Sequence, residues 1–357
     1  NHHTLIQQEY EALDRTAKLL AETDLPSEVA DPIRGEVYLL RANLLGWHNR
    51  ASEALAMVAP AKSLLPAQWR YAHAAISMIQ GLGYAQQGEA ELAEQSILAG
   101  LNEHHIGENP RHKSLLLYAL TTLDWTSLDL QGLKQSAARY LEYGQRFDLQ
   151  ETEAVAQHFL GCAHYHHNEL SEAEAYFRTA ASNPYKANRS FYTQAVCGLA
   201  FTYRALGRHQ EALELLGATR SDMMDQLGPL LLGVLQAGQA EVTLAEGDIA
   251  RAFGWVEAYD PQPIAGLQMF FIPQTAFIKV LLAQNTSSSL GRAAALLTQY
   301  LELARKNHFK SALLYALPLQ ALLNARQGQE AAAMASLEEA VRLGEVESLV
   351  RVCLLYT

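Results

Sequence analysis

The side chains of this sequence best placed to do chemistry are His158, Cys162 and His166, which recur at four-residue intervals. On a helix that spacing stacks them on one face, because 3.6 residues complete a turn. Two imidazoles and a thiol are metal ligands, and a cysteine beside a histidine is also the pairing that activates a sulfur nucleophile. Both chemistries meet an obstacle. Eight residues of helix span roughly 12 Å, too far for one ion to touch both histidines. No neighbour in sequence supplies the orienting group or the oxyanion site that a thiol nucleophile needs. A second helix would have to complete either set, so the residues read first as the lining of a binding channel. His104, His105 and His112, beside Pro110, read as a solvated loop that catches a metal only adventitiously. The acidic pairs Glu338–Glu339 and Glu172/Glu174 read as solubilising charges on outer helix faces. No catalytic triad, G-x-x-x-x-G-K-[ST] phosphate loop or zinc-ligand spacing is present, and the sequence predicts no catalytic residue, cofactor or metal.

The elements that must position these side chains follow from an internal repeat. Leu160–Ala173 and Leu199–Ala212 both read as an amphipathic helix, a tight break and a second helix opening on Glu-Ala. The small or apolar residue five positions after each break recurs as Ala54, Ala93, Leu133, Ala173, Ala212, Ala252, Ala293 and Ala333, at intervals of 39, 40, 40, 39, 40, 41 and 40. Seven intervals this even mark a structural repeat. The break residue is Gly88, Gly207, Gly247 or Gly328 in four units and Asn49 or Asn168 in two, the residue types that accept left-handed backbone. Leu128 and Ser288 depart from that rule, so the third turn is expected to be built differently and the Ser287–Ser289 run to make a looser seventh turn. Pro110, Pro184, Pro229, Pro261 and Pro263 fall between units; Pro273 is expected to open a helix and Pro318 to kink one.

The sequence thus predicts an all-α fold, a right-handed superhelical solenoid of about eight tetratricopeptide-like hairpins. Residues 1–357 read as a single repeat domain, with an orphan helix over 4–23, hairpins over 30–343 and a capping segment over 344–357. In such a superhelix the first helix of each hairpin lines the concave groove, at positions eighteen, fifteen, eleven, eight and seven residues before each marker. The third hairpin then offers Tyr118, Thr122 and Trp125, the fourth His158, Cys162, Tyr165 and His166, and the fifth Gln194, Phe201 and Arg204. Asn43 and Trp47 fall at such positions in the first hairpin and Glu241 in the sixth. Rings for stacking and a few fixed donors suit a polar small ligand or a peptide, although rings at half of such positions merely pack adjacent hairpins.

Composition narrows the partners. Hydrophobic residues make up 49% of the chain and charged residues 18%, enough for a large core. A net charge of −11 with no basic run argues against direct contact with nucleic acid or an anionic membrane. Cys162, Cys197 and Cys353 are odd in number and far apart, which fits a reducing cytoplasm better than a disulfide framework. The apolar hairpin faces at the two ends leave self-association open.

The stretch Lys279–Gln284, with Ala295–Leu297, Leu319–Leu322, Ala325–Gln329, Ala335–Val341 and Val350–Val352, resembles the repeat domain of the large bacterial LuxR-type regulators of the MalT-like family. The period near 40 residues is similar to that family's. The resemblance implies an effector-sensing domain, which receives a small-molecule inducer or a regulatory protein and forms part of a longer polypeptide. There a nucleotide-binding switch precedes the repeats and a DNA-binding helix-turn-helix follows them. The alternative is a stand-alone scaffold that holds a peptide of a partner protein.

Overall fold

The computed structural model describes residues 2–103, 109–186, 188–261, 264 and 266–345, with side chains from Glu9 onward. Every regular element among the described residues is a helix, seventeen in all, and no strand occurs. After α1 (His2–Glu22) the helices pair in chain order as α2 (Ser27–Trp47) with α3 (Ala51–Leu64), α4 (Arg70–Gln86) with α5 (Ala90–Glu103), and α6 (Pro110–Ser127) with α7 (Leu130–Arg146). Next come α8 (Gln150–His166) with α9 (Leu170–Ala180), α10 (Arg189–Ala205) with α11 (His209–Asp222), and α12 (Pro229–Ala245) with α13 (Ile249–Ala258). The last two pairs are α14 (Pro273–Gln284) with α15 (Ser287–Lys306), and α16 (Lys310–Arg326) with α17 (Glu330–Glu345). The fold is an all-α helical-repeat solenoid. His104, His105 and the segment from Ser348 to Thr357, Cys353 included, lie outside the described residues.

One turn closes every hairpin. Asn49, Gly88, Leu128, Asn168, Gly207, Gly247, Asn285 and Gly328 all hold φ between 54° and 86°, and in each case the second helix begins two residues later. In seven of the eight the next residue's N–H reaches back five residues, as in Arg50 to the Leu45 carbonyl and Arg208 to the Tyr203 carbonyl, both 2.9 Å. That bond satisfies a carbonyl the helix end would otherwise leave open.

Two expectations are corrected here. The third turn has the common geometry after all: Leu128 takes φ 62° and is 3% exposed, so its side-chain burial offsets the cost of a left-handed branched residue. The seventh reversal occurs at Asn285, three residues before Ser288, and Ser287–Ser289 is the first turn of α15 rather than a loose turn. Thr286 and Ser289 cap that turn reciprocally, through Thr286 N–H to Ser289 Oγ at 2.9 Å and Ser289 N–H to Thr286 Oγ1 at 3.1 Å.

The markers Ala54, Ala93, Leu133, Ala173, Ala212, Ala252 and Ala293 are each 1% exposed or less, because the two helices of a hairpin cross there. Ala333 is half-buried. Pro273 opens α14, and Pro318 sits buried inside α16. Connections between hairpins vary widely. Residues 147–149 and 307–309 repeat the three-residue left-handed turn, at Asp148 and His308, whereas residues 259–272 make a fourteen-residue connection.

The chain forms two compact units, one running to Leu123 with Lys306–His308, the other comprising Asp124–Arg305 and the chain from Phe309. The first has a core of Leu39, Ala42, Val58, Ile76, Ile97 and Leu116. In the second, Phe177 of α9 wedges between Gly161 and Gly198, where an added Cβ would come within 2.7 and 2.5 Å of its ring. No helix among the described residues is long and apolar enough to cross a membrane.

Candidate functional site

The second unit has a channel built from α8 and α10. An amphipathic helix buries one stripe, yet every residue from Phe191 to Tyr203 of α10 is buried, so this helix is covered on all sides. The covering element on its inner side is the long connection between α13 and α14, which carries Phe270 and Phe271 into the channel. Phe270 is 5% exposed. Its ring centroid lies 5.6 Å from Tyr165 and Phe177, 6.0 Å from His166, 6.2 Å from His158, and 6.3 Å from Trp125 and Phe201. Edge-on and tilted contacts of this kind favour aromatic pairs beyond the area they bury.

Polar groups of the channel are directed at the main chain of that segment. The Gln194 side chain makes two bonds to Phe271, donating from Nε2 to its carbonyl at 2.8 Å and accepting from its N–H at Oε1, also 2.8 Å. Trp125 Nε1 donates to the Gln268 carbonyl at 2.8 Å. His166 Nε2 pairs with the Tyr315 hydroxyl at 2.8 Å. Of the predicted groove residues, Trp125, His158, Cys162, Tyr165, His166, Gln194, Phe201 and Arg204 therefore gather in or beside one channel, and Glu241 adjoins it. Tyr118 belongs to the first unit, half-buried, its phenol pushed up to about 12 by burial against a hydrogen bond to Thr122.

The titratable groups argue against thiol chemistry. His158 is enclosed by the rings of Phe159, Phe177, Phe191 and Phe270, and burial holds its imidazole down at about 3. Cys162 Sγ lies 3.5 Å from His158 Nε2, but burial pushes the thiol well up, opposite to what a nucleophile requires. Among the described residues no three of His, Cys, Asp and Glu converge as a metal-ligand set.

A buried charge cluster adjoins the rings. Glu241, 4% exposed, accepts at Oε1 from Lys279 at 2.6 Å and Arg204 at 3.4 Å. Burial alone would raise the Glu241 carboxyl, but the Lys279 and Arg204 charges outweigh it and hold the carboxyl below its ordinary value. Its Oε2 has no protein partner. Glu241 and Lys279, with Tyr165, Phe201, Thr275 and Tyr315, line a cavity of about 20 Å³ closed by Met269–Ile272. Elsewhere the acidic pairs stand at the surface, Glu172 and Glu338 exposed, with Glu174 paired to Arg208 at 2.8 Å and Glu339 to Arg305 at 2.9 Å.

Lys279, Tyr315 and the Met269–Ile272 run escaped the sequence reading for separate reasons. Counted from the true break at Asn285, Lys279 occupies the same repeat position as Cys162, Phe201 and Glu241; the three-residue misplacement at Ser288 hid it. Tyr315 stands eighteen residues before Ala333, a groove position of the eighth hairpin. The segment itself had a signal, an apolar Met-Phe-Phe-Ile run inside a long, proline-bounded connection.

Stacked hairpins closed by one repeated turn define a tetratricopeptide-like repeat protein, a fold suited to protein interaction. The sequence matches the MalT-like TPR region over residues 35–354, and the chain belongs to that family. Two solved structures share the fold. The apo form of RapI is 12% identical with a TM-score of 0.53, covering 87% of this chain and 97% of its own. A Rap protein complexed with competence and sporulation factor is 10% identical with a TM-score of 0.51, covering 90% and 95%. No curated protein matches the sequence significantly.

Proposed function

We propose that this chain is the effector-sensing and interaction domain of a MalT-like, LuxR-type regulator, one repeat domain acting in the cytoplasm, and that it binds rather than catalyses. The channel of the second unit is its effector site, taking a small inducer, a regulatory protein or both. The observation that carries this reading is the convergence of Trp125, Tyr165, His166, Gln194, Phe201 and Arg204 on one buried channel, within a family matched over residues 35–354. Rings on several sides, two fixed donors and a compensated charge cluster are what a selective ligand site needs. An effector favouring one arrangement of the channel would bias a switch elsewhere in the polypeptide.

The test has two parts. The complete reading frame should encode a nucleotide-binding module before the repeats and a helix-turn-helix after them; a frame with neither would sink the regulator assignment. In that regulator, Tyr165→Phe with Arg204→Gln should weaken the response to its inducer at least ten-fold at unchanged protein level, and an unaltered response would reject the channel as the site. A second reading, a stand-alone scaffold for a partner's peptide, draws support from Gln194, which holds a main-chain segment rather than a side chain.

A further inference from the structure

The segment Gly266–Ile272 behaves as a ligand that happens to be covalently attached. Topology does not require it: two other connections between hairpins in this chain are made with three residues, whereas this one uses fourteen. The contacts it receives are of two kinds. Gln194 and Trp125 read its backbone through three hydrogen bonds that are indifferent to side-chain identity, one at Gln268 in the turn that Met269 N–H closes on the Gly266 carbonyl and two at Phe271 after it. Phe270 and Phe271 supply the specificity: the first sits among six rings, and the second meets Phe201 edge-on at 4.8 Å. Arg204, Glu241 and Lys279 lie under this apolar segment. Charges buried there are costly for stability alone, and they suit a channel whose covering departs.

We propose that the channel of the second unit is a receptor for a peptide segment bearing adjacent aromatic residues, and that Gly266–Ile272 is a resident mimic which such a peptide displaces. The proposal rests on the channel being the effector site, and it narrows the effector class to a peptide segment. The incoming residue at the Phe270 position would fill the ring cluster, and its neighbour's amide and carbonyl would take over both bonds of Gln194.

The probe is a labelled, end-blocked peptide of the resident sequence, Gly-Leu-Gln-Met-Phe-Phe-Ile, used with the intact chain. In Phe270→Ala/Phe271→Ala the channel is no longer filled by its own rings. This variant should bind the peptide at least ten-fold more tightly than the native chain does, and adding Gln194→Ala should remove that gain; a scrambled peptide should not bind. A folded double variant that binds the peptide no better, or is indifferent to Gln194→Ala, overturns the proposal. Should the variant fail to fold, hydrogen exchange on the native chain decides. Excess peptide should speed exchange of the 267–272 amides at least three-fold, and unchanged exchange overturns the proposal. Phenol serves as the control probe on whichever protein is folded. Phenol binding without peptide binding overturns the peptide class and leaves the channel reading intact, whereas binding of neither overturns both.

Discussion

The inner helices of the two units differ in how much of them is covered. In the first unit α2 buries six of its twenty-one residues and α4 eight of seventeen, as expected of helices packed on one stripe. In the second unit α8 buries twelve of seventeen and α10 thirteen, all consecutive. The same repeat thus yields an open inner helix in one place and a sealed one in another. The difference lies in the connection after α13, which supplies Phe270 and Phe271 to the sealed region, whereas Trp47 in the first unit is 38% exposed. Repeat position alone does not decide whether a groove residue is free; what the connections carry does.

The largest expected effect tests the charges. Glu241→Gln strands Arg204 and Lys279 in a buried site and should cost about 3–5 kcal/mol in chemical denaturation. Its counterpart in the first unit is the exposed Arg50–Glu53 pair, where Glu53→Gln should leave the denaturation midpoint unmoved. Equal effects at the two sites would erase the distinction. Phe270→Ala should cost about 3–5 kcal/mol, the loss expected for an aromatic ring in a packed core, while Trp47→Ala should stay within roughly 1 kcal/mol.

A pH titration of stability sharpens the contrast further. The unfolded chain protonates His158 near its ordinary value of 6.5, but the folded chain holds it neutral down to about 3. Its contribution is complete above pH 6.5 and is lost as the pH falls through that window, at about 1.4 kcal/mol per pH unit and about 2 kcal/mol by pH 5. His158→Phe should remove one proton's worth of that slope, and an unchanged slope would mean that His158 is hydrated in the folded chain. The smallest effects come from glycines. Gly198→Ala presses a methyl into Phe177 and should cost about 1–3 kcal/mol. Gly46→Ala on α2 meets nothing within 4 Å and should stabilise the chain by about 0.5–1 kcal/mol. Matching signs in thermal denaturation would show that the two inner helices are equally crowded.

Much of the repeat was legible because it is written in local chemistry. Asn and Gly at the breaks and alanine at the crossings report backbone geometry and close approach, both settled within a few residues. The third and seventh turns depart from their sequence expectation for reasons just as local. Leucine carries no mark of left-handed backbone, so Leu128 is recognisable only through the burial that holds it. Asn285 makes the seventh reversal, and the serine run beside it is the first turn of α15. Spacing brought the channel residues to one face, yet the segment that covers them lies roughly 60 to 150 residues further along. No periodicity reports that Trp125 Nε1 meets the carbonyl of Gln268, or that His166 meets Tyr315. Such pairings become visible only when the hairpins have stacked.

The attachment of Gly266–Ile272 at both ends has a quantitative consequence. A ligand arriving from solution contends with a competitor whose local concentration is fixed by a short tether, on the order of millimolar, and which dilution does not lower. The concentration at which a free peptide takes over the channel is then governed by the length of that connection as much as by any contact within it. Added glycines would shift that threshold and leave every channel residue as it stands.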